Sequence, residues 1–145
     1  MFTNVEHIGI AVRDLAASNA LFASLLNTQP YKSEEVTSEG VMTSFFKFNT
    51  GHETPGYERQ TKIELLVPTR PDSPIATYLE KRGEGIHHLA FEVADIEAEM
   101  ARLKEEGFTL LNETPKRGAD NKLVCFLHPK TTNGVLIELC QEVRQ

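Results

Sequence analysis

The chain has 145 residues, 40% of them hydrophobic, enough for one domain with a substantial core and too few for two independent domains of ordinary size. Its 15 lysines and arginines are scattered within a net charge of -6, which excludes the basic stripe a nucleic-acid backbone needs. No apolar run approaches membrane-spanning length and the first strand signal begins by Val5, leaving no room for a signal peptide, so a soluble cytoplasmic protein is expected.

Residues 4–12 alternate and are rich in β-branched types, predicting a strand, and Asp14 then caps a helix whose apolar spacing runs from Leu15 to Leu26. Strand signals follow at 32–37, 41–48 and 61–67, with a polar, Gly- and Pro-bearing loop over 49–60. Pro68 to Pro74 breaks structure before a short helix over 75–81, and Gly83-Glu84-Gly85 releases the chain into a second series. That series has a strand over 87–93, Asp95 as a cap, a helix over 96–106 stopped by Gly107, and strands over 108–113, 122–128 and 134–141. Each half reads β-α-β-β-β: module one over about 4–67, a linker over about 68–85 and module two over about 86–142, together a single domain over 1–145. Cys125 and Cys140 both lie in apolar strand-like runs and are expected as reduced packing residues.

The halves repeat in wording as well as in order. Val5-Glu6-His7-Ile8-Gly9-Ile10-Ala11-Val12 returns as Ile86-His87-His88-Leu89-Ala90-Phe91-Glu92-Val93, so His7 lies over His88. Lys62-Ile63-Glu64-Leu65-Leu66 returns as Leu136-Ile137-Glu138-Leu139-Cys140, so Glu64 lies over Glu138. Strand alternation places His7 with Val5, Gly9 and Ala11, and His88 with Ile86, Ala90 and Glu92, leaving small residues beside each imidazole. Singly, each histidine reads as a core residue and each glutamate as an outward-pointing one. Both pairs at equivalent places, with carboxylates in otherwise apolar strands, favour a shared site, because a buried lone carboxylate costs several kcal/mol or takes up a proton. Two imidazoles and two carboxylates form a ligand set for one divalent metal ion per site: cobalt, manganese, nickel or zinc. His87 falls on the opposite face and is left out.

These phrases, with Asp72-Ser73-Pro74-Ile75-Ala76, Phe126-Leu127-His128-Pro129-Lys130 and Gly134-Val135-Leu136-Ile137-Glu138-Leu139, resemble the vicinal oxygen chelate (glyoxalase/bleomycin resistance/dioxygenase) superfamily, and within it the methylmalonyl-CoA epimerases. The resemblance spans nearly the whole chain. It implies an α+β fold of two tandem βαβββ modules in a curved, mainly antiparallel eight-stranded sheet around a metal site, in a homodimer. It also implies that His7, Glu64, His88 and Glu138 are the metal ligands and that Glu138 is catalytic, moving the C2 proton of an acyl-CoA thioester through a metal-stabilised enolate. In some relatives a Glu follows the Gly-Val phrase by three residues from its Gly. Here Gly40-Val41-Met42 leads to Thr43, which is no base near neutral pH, leaving water, Glu39 or the 49–60 loop with His52, Glu53 and Glu58 for the second acid–base group. Lys116, Arg117, Lys122 and Lys130 are candidates for coenzyme A phosphates, and His128 for pocket lining or packing. The alternatives are a glyoxalase I-type lactoylglutathione lyase and a non-catalytic small-molecule binding protein of the same fold. The retained ligand positions argue against the latter, and the second Glu argues against extradiol ring cleavage.

Overall fold

A computed structural model describes residues 1–48 and 60–143. In chain order the described elements are β1 (Phe2–Ala11), α1 (Leu15–Leu26), β2 (Lys32–Val36), β3 (Val41–Phe46), β4 (Lys62–Pro68), α2 (Pro74–Arg82), β5 (Gly85–Val93), α3 (Ile96–Glu105), β6 (Lys116–Arg117), β7 (Lys122–Leu127) and β8 (Ile137–Glu142). The expected β-α-β-β-β order therefore appears twice. One expected strand is misplaced: residues 108–113 form only a bridge from Leu110 to Leu127, and the ladder strand is instead Lys116–Arg117. Asn112 explains the interruption, because its side chain accepts from the Phe126 N–H at 3.0 Å and donates to the Thr114 carbonyl at 2.7 Å, taking the place of ladder bonds.

The helices begin where side-chain acceptors allow. Asp14 accepts from the Ala17 N–H at 3.0 Å, Asp95 from the Ala98 N–H at 3.1 Å, and Ser73 from the Ile75 N–H at 3.2 Å just before Pro74. Asn27, in left-handed conformation at φ 53°, ends α1.

The chain falls into two compact units, His7–His87 and Met1–Glu6 with the residues from His88 onward, so β1 is divided between them. In the first of these the strand order is β2-β3-β4-β1, antiparallel except for the parallel β1–β4 pair. Its odd-numbered β4 residues Ile63, Leu65 and Val67 pack with Ile10, Val12, Phe46 and the inner side of α1. The opposite face carries Leu66, Ala11 and Val41 at one end, closed over by Ile75 and Leu79 of α2. Arg70 secures that end by donating to the Thr37 and Ser38 carbonyls of the β2–β3 turn. There Gly40 holds a left-handed φ of +64°, which strains any side chain, and Arg70 side-chain atoms 3.0 Å from where a Cβ would stand would have to shift to admit one.

In the other unit the order is β1-β5-β8-β7-β6, with β5–β8 parallel and β6–β7–β8 antiparallel. Ile96, Met100 and Leu103 of α3 bury Val93, Cys125, Leu127, Ile137 and Leu139 on one face. The other face holds Ala90, Val124, Cys140 and Phe126. Both cysteines are buried free thiols, as expected. Among the described residues, no helix is long and apolar enough to cross a membrane.

Candidate active site

Both glutamates are set by the same register. β1 and β4 run parallel with Gly9 level with Glu64, and β5 and β8 run parallel with Ala90 level with Glu138. Each histidine stands two residues before that level position, on the same face. Because the level residue carries at most a methyl group, the imidazole and the carboxylate meet beside it. His7 Nε2 is 3.6 Å from Glu64 Oε2, and His88 Nε2 is 3.0 Å from Glu138 Oε2. All four residues are at most 6% exposed. The duplication read in the wording of the chain is thus also a duplication of geometry.

Burial gives these pairs their chemical meaning. A carboxylate withdrawn from water loses several kcal/mol of hydration unless a proton, a cation or hydrogen-bond donors replace it. In both units the partner supplied is an imidazole, itself a ligand for divalent metals of intermediate hardness. His7, His88 and Glu138 are buried and each offers an atom of the kind that can bind a metal ion. The donor set does not single out one metal. The His88 ring is further held edge-on to Phe126, 5.8 Å between centroids, and Phe126 is level with Glu138 on β7.

The other sequence candidates have separate positions. His87 packs edge-on against Tyr78 at 4.9 Å, away from the His88 pair. His128 accepts from the Lys130 N–H at 3.0 Å through Nδ1, capping the turn Pro129–Thr131. Lys116 lies 5.9 Å over the Phe126 ring and Arg117 donates to Asn121 Oδ1 at 3.1 Å. Thr43 is 1% exposed and donates to the Glu34 carbonyl at 2.9 Å. Glu39 sits in the turn between β2 and β3, and His52, Glu53 and Glu58 lie outside the described residues.

Three further charged residues, Glu99, Glu6 and Glu34, were not singled out in the sequence, and Lys122, read there as a candidate for coenzyme A phosphates, is buried. Glu99 is buried because Arg102 and the Met1 ammonium both pair with it, and its spacing of three from Arg102 on α3 was a readable signal. Glu6 and Lys122 are buried near Cys140, whose thiol ionisation is pushed up by burial first and by Glu138 and Glu6 next. Glu34 shares the β2 face with Lys32, whose ammonium is 2.9 Å from its Oε1.

Residues 6–126 match the Glyoxalase/Bleomycin resistance protein/Dioxygenase superfamily. The ethylmalonyl-CoA/methylmalonyl-CoA epimerase of Cereibacter sphaeroides is 41% identical over 143 residues, 97% of this chain and 99% of that one. The human mitochondrial methylmalonyl-CoA epimerase is 39% identical over 138 residues, covering 94% of this chain and 73% of that one. Among solved structures, a Streptomyces coelicolor methylmalonyl-CoA epimerase variant in complex with 2-nitronate-propionyl-CoA superimposes with a TM-score of 0.91. Its identity is 34%, over 99% of this chain and 100% of that one.

Proposed function

Because the chain belongs to the Glyoxalase/Bleomycin resistance protein/Dioxygenase superfamily and adopts the vicinal oxygen chelate fold, we propose that it interconverts the C2 epimers of methylmalonyl-CoA, with His7, Glu64, His88 and Glu138 holding one divalent metal ion. The observation that carries the reading is the repeated register: a buried His–Glu pair beside Gly9 in one unit and beside Ala90 in the other. The chain is an epimerase like the relatives it matches, and its substrate is an acyl-CoA thioester.

The divalent ion, when bound, supplies Lewis-acid polarisation of a carbonyl oxygen. The remaining work belongs to side chains. The four ligands hold their orientation because each sits on a paired strand with its neighbour fixed by ladder bonds. Glu138 has Ala90 and Phe126 level with it on the two flanking strands, an apolar surround that keeps water from competing for the proton it carries. It is assigned as one of the two groups that move the C2 proton. The exposed basic side chains Lys116, Arg117 and Lys130 are assigned to the coenzyme A phosphates, and Lys122, buried near Cys140, is left out. A homodimer in the cytoplasm completes the reading.

The test is exchange of the C2 proton in deuterated water, with protein reloaded with cobalt or manganese, against methylmalonyl-CoA, ethylmalonyl-CoA and the glutathione hemithioacetal. Exchange and inversion of a malonyl-type thioester is expected. Turnover of the hemithioacetal alone would overturn the epimerase reading in favour of a lyase.

A further inference from the structure

Inversion at C2 needs a proton taken from one face of the carbon and returned on the other, so a second proton carrier must accompany Glu138. The inference below rests on the epimerase reading and names that group. On the site face of the unit His7–His87, the described titratable residues that register and alternation place together are His7, Lys32, Glu34, Lys62 and Glu64. His7 and Glu64 are assigned to the metal ion. Of the others, Glu34 is the carboxylate.

Its placement follows from pairing. Glu34 is level with Thr43 on β3, and Thr43 is level with Leu66 on β4, two residues from Glu64 on the same face. Val36, two residues beyond Glu34, packs with Val41, Leu66 and α2, which close that end of the face. Glu34 therefore stands between an apolar plug and the His7–Glu64 pair. Strand spacing puts its Cα about 12 Å from that of Glu64, the span of a small acyl group and two short side chains. Thr43 Oγ1 is committed to the Glu34 carbonyl, which ties β2 at this level, and Lys32 Nζ, 2.9 Å from Oε1, orients the carboxylate along the same face. Glu39 lies off the ladder in the turn and shares none of this geometry.

We propose that Glu34 is the second catalytic acid–base residue, serving the C2 face that Glu138 does not. In one direction a Glu34 carboxylate oxygen takes the C2 proton, and the C–H electron pair moves into the C1–C2 bond while the thioester carbonyl pair moves onto oxygen. A proton then reaches the opposite face from Glu138, and the electron pairs return to a new C–H bond and the carbonyl. The reverse direction exchanges the two roles.

The experiment follows inversion and deuterium wash-in separately from each pure epimer of methylmalonyl-CoA, using metal-replete wild type, Glu34→Gln, Glu34→Asp and Glu35→Gln, with metal content and circular dichroism recorded for each. Glu34→Gln is expected to lower inversion about 100-fold or more in both directions. It should keep metal content, fold and wash-in without inversion from one epimer, because Glu138 can still remove that epimer's proton and return a deuteron to the same face. Glu34→Asp should restore part of the inversion. Glu35 is exposed on the other side of β2, and Glu35→Gln should match wild type. Inversion by Glu34→Gln within about twofold of wild type, or equal loss of wash-in from both epimers, would overturn the assignment. Absence of wash-in in the wild type would instead overturn the epimerase reading, and the role of Glu34 with it.

Discussion

His88 Nε2 stands 3.0 Å from Glu138 Oε2, a buried pair between two parallel strands. Removing the carboxylate while leaving the fold tests whether that contact is chemical as well as structural. Glu138→Ala should lower C2 proton exchange about 10²–10⁴-fold, measured by deuterium incorporation with unchanged circular dichroism. Exchange at the wild-type rate would remove Glu138 from the chemistry.

The matching pair makes a separate prediction about the metal. His7→Ala and His88→Ala should each drop bound metal from one per site to well below it, read by elemental analysis after gel filtration. Each removes one of the four proposed ligands and takes the imidazole from beside a buried glutamate. Full metal content in both variants would separate the duplicated pairs from metal binding.

The helix caps offer a stability test away from the site. Asp14→Ala and Asp95→Ala each delete one side-chain acceptor for a helix N-terminus and should cost about 0.5–2 kcal/mol by denaturant unfolding. Leu139→Ala, a fully buried position under α3, should cost about 2–5 kcal/mol. Kinetic constants of the cap variants should stay at wild-type values.

Cys125 makes a prediction in pH. Burial raises its thiol from 9.0 to about 11, against smaller lowering effects from an Asn112 backbone hydrogen bond and Lys116. A group whose folded pKa is raised contributes stability that is complete below the unfolded value and disappears as pH rises through the folded one. Stability should therefore fall between about pH 9 and 11, and Cys125→Ala should lessen the slope of that part of the profile, the remainder coming from Cys140, whose thiol is also raised by burial. At pH 8 a thiol reagent should label neither cysteine until the protein is unfolded, since both are fully buried.

Much of this protein is written in its order of residues, because alternation, caps and duplication are local or repeated properties. His7 over His88 and Glu64 over Glu138 could be read directly, and so could both β-α-β-β-β series and the Asp caps. Residues 108–113 could not, since their apolar character looks like a strand while the Asn112 side chain occupies the backbone groups a ladder would use. Nor could Glu34, whose alternation with Lys32 is plain but whose importance depends on which strand lies beside β2. Nothing near Glu34 in the chain announces Thr43 and Leu66 as its neighbours in the sheet. Register is a long-range choice, made by packing Val36 and Leu66 under α2 and Ile63 and Leu65 under α1, and only once it is made do Glu34 and the His7–Glu64 pair share one face of the sheet.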